Sequence, residues 1–258
     1  STQRAFKASI TQTDMNEGGR AAIEFIAADL RAMSPARGVS NNFVGAVNFY
    51  ANTNSSDAVL VQSSIITQSS RTNVLQNFFI LTCENQEWHG IGYAVMPSSP
   101  GGLYTLYRFE YPQPGAARIA NPAYIFTNQF VTNFLNAPTN GNRLMDGVVH
   151  LTVRPYDANG VWMTNNVMIQ NGRTNANQNV FYFWPPTTME VGFKMFSNTV
   201  PAEVEIEMGV VEDRTLQRAE SFNGNLAAQS NWLANAAAQV HIFRERVSIP
   251  NVDPSVYQ

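Results

Sequence analysis

The sequence predicts an α+β chain: an N-terminal α-helix packed on antiparallel β-sheet or sheets, then a short late helix and a C-terminal strand. Three observations predict it. Apolar residues recur at helical spacing ahead of Ser34-Pro35. From Asn42 to about Glu207, short apolar runs are separated by Gly, Pro, Asn and Ser clusters, the pattern of strands joined by turns. Gln229 to Ala238 then returns to a helical pattern just before a strand-like run closed by Pro250. At 258 residues, 44% of them hydrophobic, the chain can bury a sizeable core as one domain. Its parts are residues 1–34 (helix), 42–211 (β-rich body) and 212–258 (helix, terminal strand and tail).

The first helix rests on Ile23, Ile26, Leu30 and Met33, a 3.6-residue period that Phe6 and Ile10 extend upstream. No proline interrupts Thr2–Met33, and Arg31 sits in the last turn, where a cation complements the carbonyl end. Ser34-Pro35 stops the helix, because a residue before proline avoids the helical region. Gly18-Gly19 predicts a kink or break, each glycine costing about 1 kcal/mol against alanine. The chain opens in the middle of a periodic pattern, which suits the lower half of a longer helix as well as an ordinary packing helix.

The predicted strands are Gly45–Tyr50, Ala58–Ser64, Asn77–Thr82, Gly90–Val95, Tyr104–Tyr111, Tyr124–Phe134, Val148–Tyr156, Val180–Trp184, Glu190–Phe196 and Ala202–Val211. In the last, Val204, Ile206 and Met208 alternate with Glu203, Glu205 and Glu207, which gives one buried and one solvated face. Asp157-Ala158-Asn159-Gly160 is a turn signal, since Asn-Gly tolerates positive φ. The Asn-rich stretches 136–142 and 171–179 read as surface loops. The late helix, 229–238, takes its apolar contacts from Trp232, Leu233 and Ala236-Ala237. The strand from Val240 to Ile249 carries Arg244-Glu245-Arg246 between apolar ends.

Composition excludes several classes. A net charge of -3 leaves no basic excess for a nucleic-acid backbone. The single cysteine, Cys83, excludes a disulfide scaffold and reads as a buried small hydrophobe. No apolar run approaches the ~18 residues of a membrane-spanning helix. His89, His150 and His241 lie in no metal-binding spacing, and nucleophile-elbow, phosphate-loop and dinucleotide-turn motifs are missing from the sequence. His150 therefore reads as structural, and no cofactor or metal is expected. Trp162, Trp184 and Tyr182 could form a sugar-stacking platform, although core packing suits them better. With only 14% charged residues, the surface must be dominated by Asn, Gln, Ser and Thr, which suits protein contacts. Nothing supports an enzyme.

Four segments, taken in order, resemble the minor pseudopilins of the J class from type II secretion systems, a branch of the type IV pilin-like proteins bearing a prepilin-type cleavage and methylation signal. They are Ile26-Ala27-Ala28-Asp29-Leu30-Arg31 at the helix end, and Gly92-Tyr93 with Leu106-Tyr107-Arg108. Next come Leu144-Met145-Asp146-Gly147-Val148 running on to Tyr156-Asp157-Ala158-Asn159-Gly160 and Trp162, and lastly Val200-Pro201-Ala202-Glu203-Val204-Glu205-Ile206. The resemblance implies a pilin-like fold and a structural role without catalysis. It implies a bacterial protein held in the inner membrane by an N-terminal helix absent from this chain, with its globular part in the periplasm. Other (pseudo)pilins, and secreted cargo proteins, are the implied partners, met in a filament or at its tip. On this reading Phe6 and Ile10 lie on the exposed lower shaft as partner-contact residues, while Ile23, Ile26 and Leu30 pack on the sheet. The alternative from another class is a secreted carbohydrate- or cell-surface-binding β domain without catalysis.

Overall fold

The computed structural model describes residues 2–36, 46–53, 60–63, 70–99, 102–113, 122–137, 141–164, 167–170, 173–176, 179–183, 190–222 and 224–251; side chains of 2–14, 63, 98–99, 167–170, 173–176 and 183 lie outside the description. Helix α1 spans Thr2–Arg31. Strands β1 (Val47–Thr53), β2 (Leu60–Ser63), β3 (Ser70–Asn73), β4 (Gln76–Glu84), β5 (Glu87–Ser99) and β6 (Gly102–Gln113) follow. A π-helix, Ile125–Phe134, precedes β7 (Asn142–Met145), β8 (Val148–Tyr156), β9 (Val167–Gln170), β10 (Arg173–Ala176), β11 (Val180–Phe183), β12 (Gly192–Phe196) and β13 (Glu203–Val211). Helices α2 (Asp213–Glu220) and α3 (Leu226–Ala234), a 3-10 turn at Ala237–Gln239 and β14 (Val240–Ser248) complete the order.

The expectation of an α+β, pilin-like fold built on an N-terminal helix is corrected: the chain is mostly β. Its fourteen described strands form an antiparallel seven-stranded sheet, β11-β12-β1-β4-β5-β6-β7, a three-stranded sheet, β14-β13-β8, and two hairpins, β2-β3 and β9-β10. The sequence under-reads β because two of these strands, Ser70–Asn73 and Arg173–Ala176, are short and polar. Arg173–Ala176 lies in an Asn-rich stretch of poor strand propensity, yet antiparallel pairing with Val167–Gln170 makes it a strand. Pairing, not propensity, decides here.

The large sheet is buried on both faces. On one, Phe49, Phe78, Ile80, Tyr93 and Leu106 share a core with the C-terminal half of α1 and with Leu151, Val153, Val204, Ile206 and Met208 of the three-stranded sheet. On the other, Phe79, Leu81, Tyr107 and Phe109 pack against the π-helix. That helix replaces the strand expected over Tyr124–Phe134. Phe126, Phe130 and Phe134 recur every four residues and stack at 6.1 and 5.7 Å between ring centroids. Phe79 lies 5.3 Å from the rings of both Phe126 and Phe130. Gly92 makes this seat: a Cβ there would fall within the Phe130 ring, so only glycine lets the π-helix lie so close to β5.

The predicted kink at Gly18-Gly19 is also corrected, for α1 runs unbroken through both residues. Gly19 faces β14, and a Cβ would collide with the Phe243 ring. The glycine serves close packing of helix on strand. The remaining edge of β8 is closed by residues 74–76, where Leu151 donates to the Val74 carbonyl at 2.8 Å and Val153 N–H donates to Gln76 Oε1 at 2.7 Å. That stretch ties the two larger sheets together.

Candidate functional site

The junction of α1 with the body is a buried ionic clamp. Ile23, Ile26, Ala27 and Leu30 form the buried stripe of α1, continued by buried Met33 just past its end, which turns Asp29 toward β5 and β6. The Arg108 guanidinium grips its carboxylate with both ends, Nε donating to Oδ2 at 2.7 Å and Nη2 to Oδ1 at 3.1 Å. Tyr93 donates its hydroxyl to the same Oδ2, and Arg108 also pairs with Glu110. Burial alone would push the Arg108 guanidinium down, but its hydrogen bonds to Asp29 and Glu110 outweigh that and hold it above the ordinary arginine value. Burial first, then the adjacent carboxylate, push the Tyr93 phenol far above its usual range. The exposed ring of Phe25 covers the outside, with the Arg108 guanidinium carbon 5.1 Å from its centroid. The Asp29–Arg108 contact joins residues 79 positions apart in the chain.

A second polar assembly covers the outer face of the three-stranded sheet. Glu203, Glu205 and Glu207 share that face, as their alternation predicts, but each has an arginine partner. Arg246 Nε reaches Glu203 at 2.5 Å, Arg154 reaches Glu205 at 3.4 Å, and Arg244 Nε donates to Glu207 at 2.9 Å. Arg71 from β3 adds a 2.6 Å bond to Glu207, and Arg154 clasps Glu190 as well. Glu207 is thus buried and paired, which corrects the expectation of a simply solvated face. His150 sits beneath, 4% exposed. Its Nδ1 accepts from the Val74 N–H at 3.0 Å, so the proton resides on Nε2, which faces Glu207 Oε1 at 3.4 Å. Burial pushes the His150 imidazole below its usual value, beyond what the approach of Glu207 restores. The His150 contact, and after it the Arg244 guanidinium, hold the Glu207 carboxyl far below the carboxylate range against the cost of burial. These ion pairs fasten β3, β8, β13 and β14 to one another.

The remaining singled-out residues divide. The side chains of Phe6 and Ile10 lie outside the described residues, as does Trp184. Trp162 is half-buried with the Arg154 guanidinium carbon 5.4 Å from its ring, so it is not a free stacking surface. Cys83 is exposed, correcting its expected burial, because it lies one pair from the tip of the β4–β5 hairpin. Asp157 spends one carboxylate oxygen on the N–H groups of Asn159 and Val161, which makes it a turn residue. Asp146 bonds Thr105 and Arg143 and not His150. Among the described residues, no group of three or more His, Cys, Asp and Glu is placed to hold a metal ion. None of the helices in the described part is long and apolar enough to cross a membrane.

The clamp was not identified from sequence, yet a signal was present. Arg108 stands inside the apolar run Leu103–Phe109, and a charge there must find a buried partner. Comparisons with protein-family models, with curated proteins and with solved structures return no match to this chain.

Proposed function

We propose that this chain is a structural, minor-pseudopilin-like subunit of a type II secretion or type IV pilus-like assembly, acting through protein–protein contacts in the filament or at its tip. The observation that carries the reading is the clamped junction. Among its described side chains, the 30-residue helix is fixed to the β body by the apolar stripe from Ile23 to Met33, by Met15, and by the Asp29–Arg108–Tyr93 clamp. A long helix clamped to its body transmits force and orientation, which a filament subunit needs and an isolated binding domain does not. Two of the segments that resemble the J-class pseudopilins meet in that clamp. On this reading the anchor precedes Ser1, the β body lies in the periplasm, and Phe6 and Ile10 contact neighbouring (pseudo)pilins.

The test is site-specific photo-crosslinking in the native bacterium, with the reactive residue placed at position 6 or 10. Adducts with other pilin-like subunits are expected there, and weak ones or none from a probe at the body residue Val161. Reading the gene upstream of Ser1 adds a second result. A basic leader followed by an aromatic-led apolar stretch of about 20 residues agrees with the proposal. A conventional secretory signal ending at Ser1, with no adducts from positions 6 and 10, would falsify it.

A further inference from the structure

An open cleft of about 620 Å³ lies between α2 and α3, lined among others by Arg214, Arg218, Thr215, Trp232 and Gln239. Its floor is rigid. Leu216 and Ala219 of α2 and Leu233 of α3 are buried, Thr215 donates its hydroxyl to Gln239, and the Trp232 indole donates Nε1–H to the Thr215 carbonyl at 3.2 Å. The indole's polar edge is therefore satisfied while 38% of the residue remains exposed. The Arg218 guanidinium carbon lies 5.6 and 6.0 Å from the ring centroids of Phe222 and Trp232. Arg214, one turn earlier, lies on the same face of α2.

What distinguishes these two arginines is the state of their charge. Of the ten arginines whose side chains are described, seven are ion-paired to carboxylates; Arg20, Arg214 and Arg218 are not. Glu212, at the same cleft, is engaged by His241 at 3.2 Å. Two like charges an α-helical turn apart repel each other, and no described carboxylate forms an ion pair with either. A guanidinium held over aromatic rings is oriented in advance for the two-point bond that a carboxylate accepts. The cleft exceeds one carboxylate in size, and Trp232 adds flat apolar surface of the kind that anchors protein interfaces.

We propose that this cleft receives an acidic segment of a partner protein, with a carboxylate held by Arg214 and Arg218 and a neighbouring apolar side chain laid on Trp232. The site stands on the geometry of α2 and α3 alone, whether or not the chain belongs to a filament.

The experiment is NMR titration of the ¹⁵N-labelled protein with the blocked peptide acetyl-Glu-Leu-Asp-Phe-amide, using acetyl-Gln-Leu-Asn-Phe-amide as the neutral control. The acidic peptide is expected to shift the Trp232 indole N–H and the Arg218 side-chain signals to saturation, binding at least about tenfold more tightly than the control. The Arg214→Gln/Arg218→Gln variant should lose that difference with its other signals unmoved. Arg218→Lys, which keeps the charge but not the planar fork, should lose most of it. Equal response to the two peptides, no response to either, or stronger binding of an anionic polysaccharide such as polygalacturonate would overturn the proposal.

Discussion

His150 and Glu207 show how a charged surface is made to depend on one buried neutral group. Both have folded-state pKa values below their ordinary ones, so in both cases the unfolded chain binds protons more readily than the folded chain. The stabilisation is complete above the ordinary values and is lost on acidification. His150 begins to act against the fold below its usual 6.5, and Glu207 follows below its usual 4.5. Each proton taken up preferentially by the unfolded chain costs up to about 1.4 kcal/mol per pH unit. In urea unfolding, the native protein should therefore lose stability from about pH 6.5 downward, ahead of the carboxylate range. His150→Gln keeps an acceptor for Val74 N–H and a donor toward Glu207 but cannot titrate. It should flatten the upper part of that decline and leave the lower part. Parallel curves for the two proteins between neutral pH and the carboxylate range would show that another group is responsible. The Asp29–Arg108 pair follows different logic: it is welded by geometry, with both arginine edges on one carboxylate, and serves as a fixed joint.

Among the elements, α1 gives the sharpest discrimination, because two adjacent glycines of equal helix propensity occupy opposite environments. Gly18 is exposed, and a Cβ there would meet only Met145 Cε at 3.8 Å. Gly19 is buried against the Phe243 ring. Gly18→Ala should thus stabilise the protein by about 0.5–1 kcal/mol through helix propensity. Gly19→Ala should destabilise it by about 1–3 kcal/mol, as overpacking outweighs the same gain. Thermal or urea unfolding of the pair checks this, and stabilisation by both would mean that Phe243 does not seat on the helix. The same glycines show what was legible in the sequence. The stripe from Ile23 to Met33 and the strands Val148–Tyr156 and Glu203–Val211 could be read, since each carries its own period over eight or more residues. The kink at Gly18-Gly19 was misread, because a glycine's weakness in a helix is local while its use here is set by a strand some 220 residues later. The π-helix was misread for a related reason. Ile125-Phe126 and Phe130-Val131 look like a strand's apolar run, and the four-residue recurrence of Phe126, Phe130 and Phe134 was the period that should have decided. Of the candidate site, Asp29 and Arg108 were visible as members of motifs. Their contact was not, since sequence order carries no information about which buried charge meets which.

At the scale of the whole molecule, the two cores are opposite faces of one sheet. Phe78 and Ile80 point into the core shared with α1, while Phe79 and Leu81, alternating with them on β4, point into the core under the π-helix. Neither face can be lost without removing backbone partners from the other. The same strands also hold the clamp, for Tyr93 and Arg108 project from β5 and β6 toward α1, while Phe109 and Tyr107 project from β6 toward the π-helix. Damage to the far core should therefore weaken the helix joint as well. Phe130, fully buried at the centre of the aromatic stack, is the position to test. Phe130→Ala should cost about 3–5 kcal/mol. The protein should still melt in a single calorimetric transition, with its van't Hoff and calorimetric enthalpies in agreement. Hydrogen exchange at the amides of Ile26 to Leu30 should accelerate to the same extent as that at β4, because both would open only in global unfolding. Two separate transitions, or protection of Ile26–Leu30 that survives the loss of β4, would mean that α1 and its side of the sheet form an independent unit. In that case the sheet would not couple the π-helix face to the shaft.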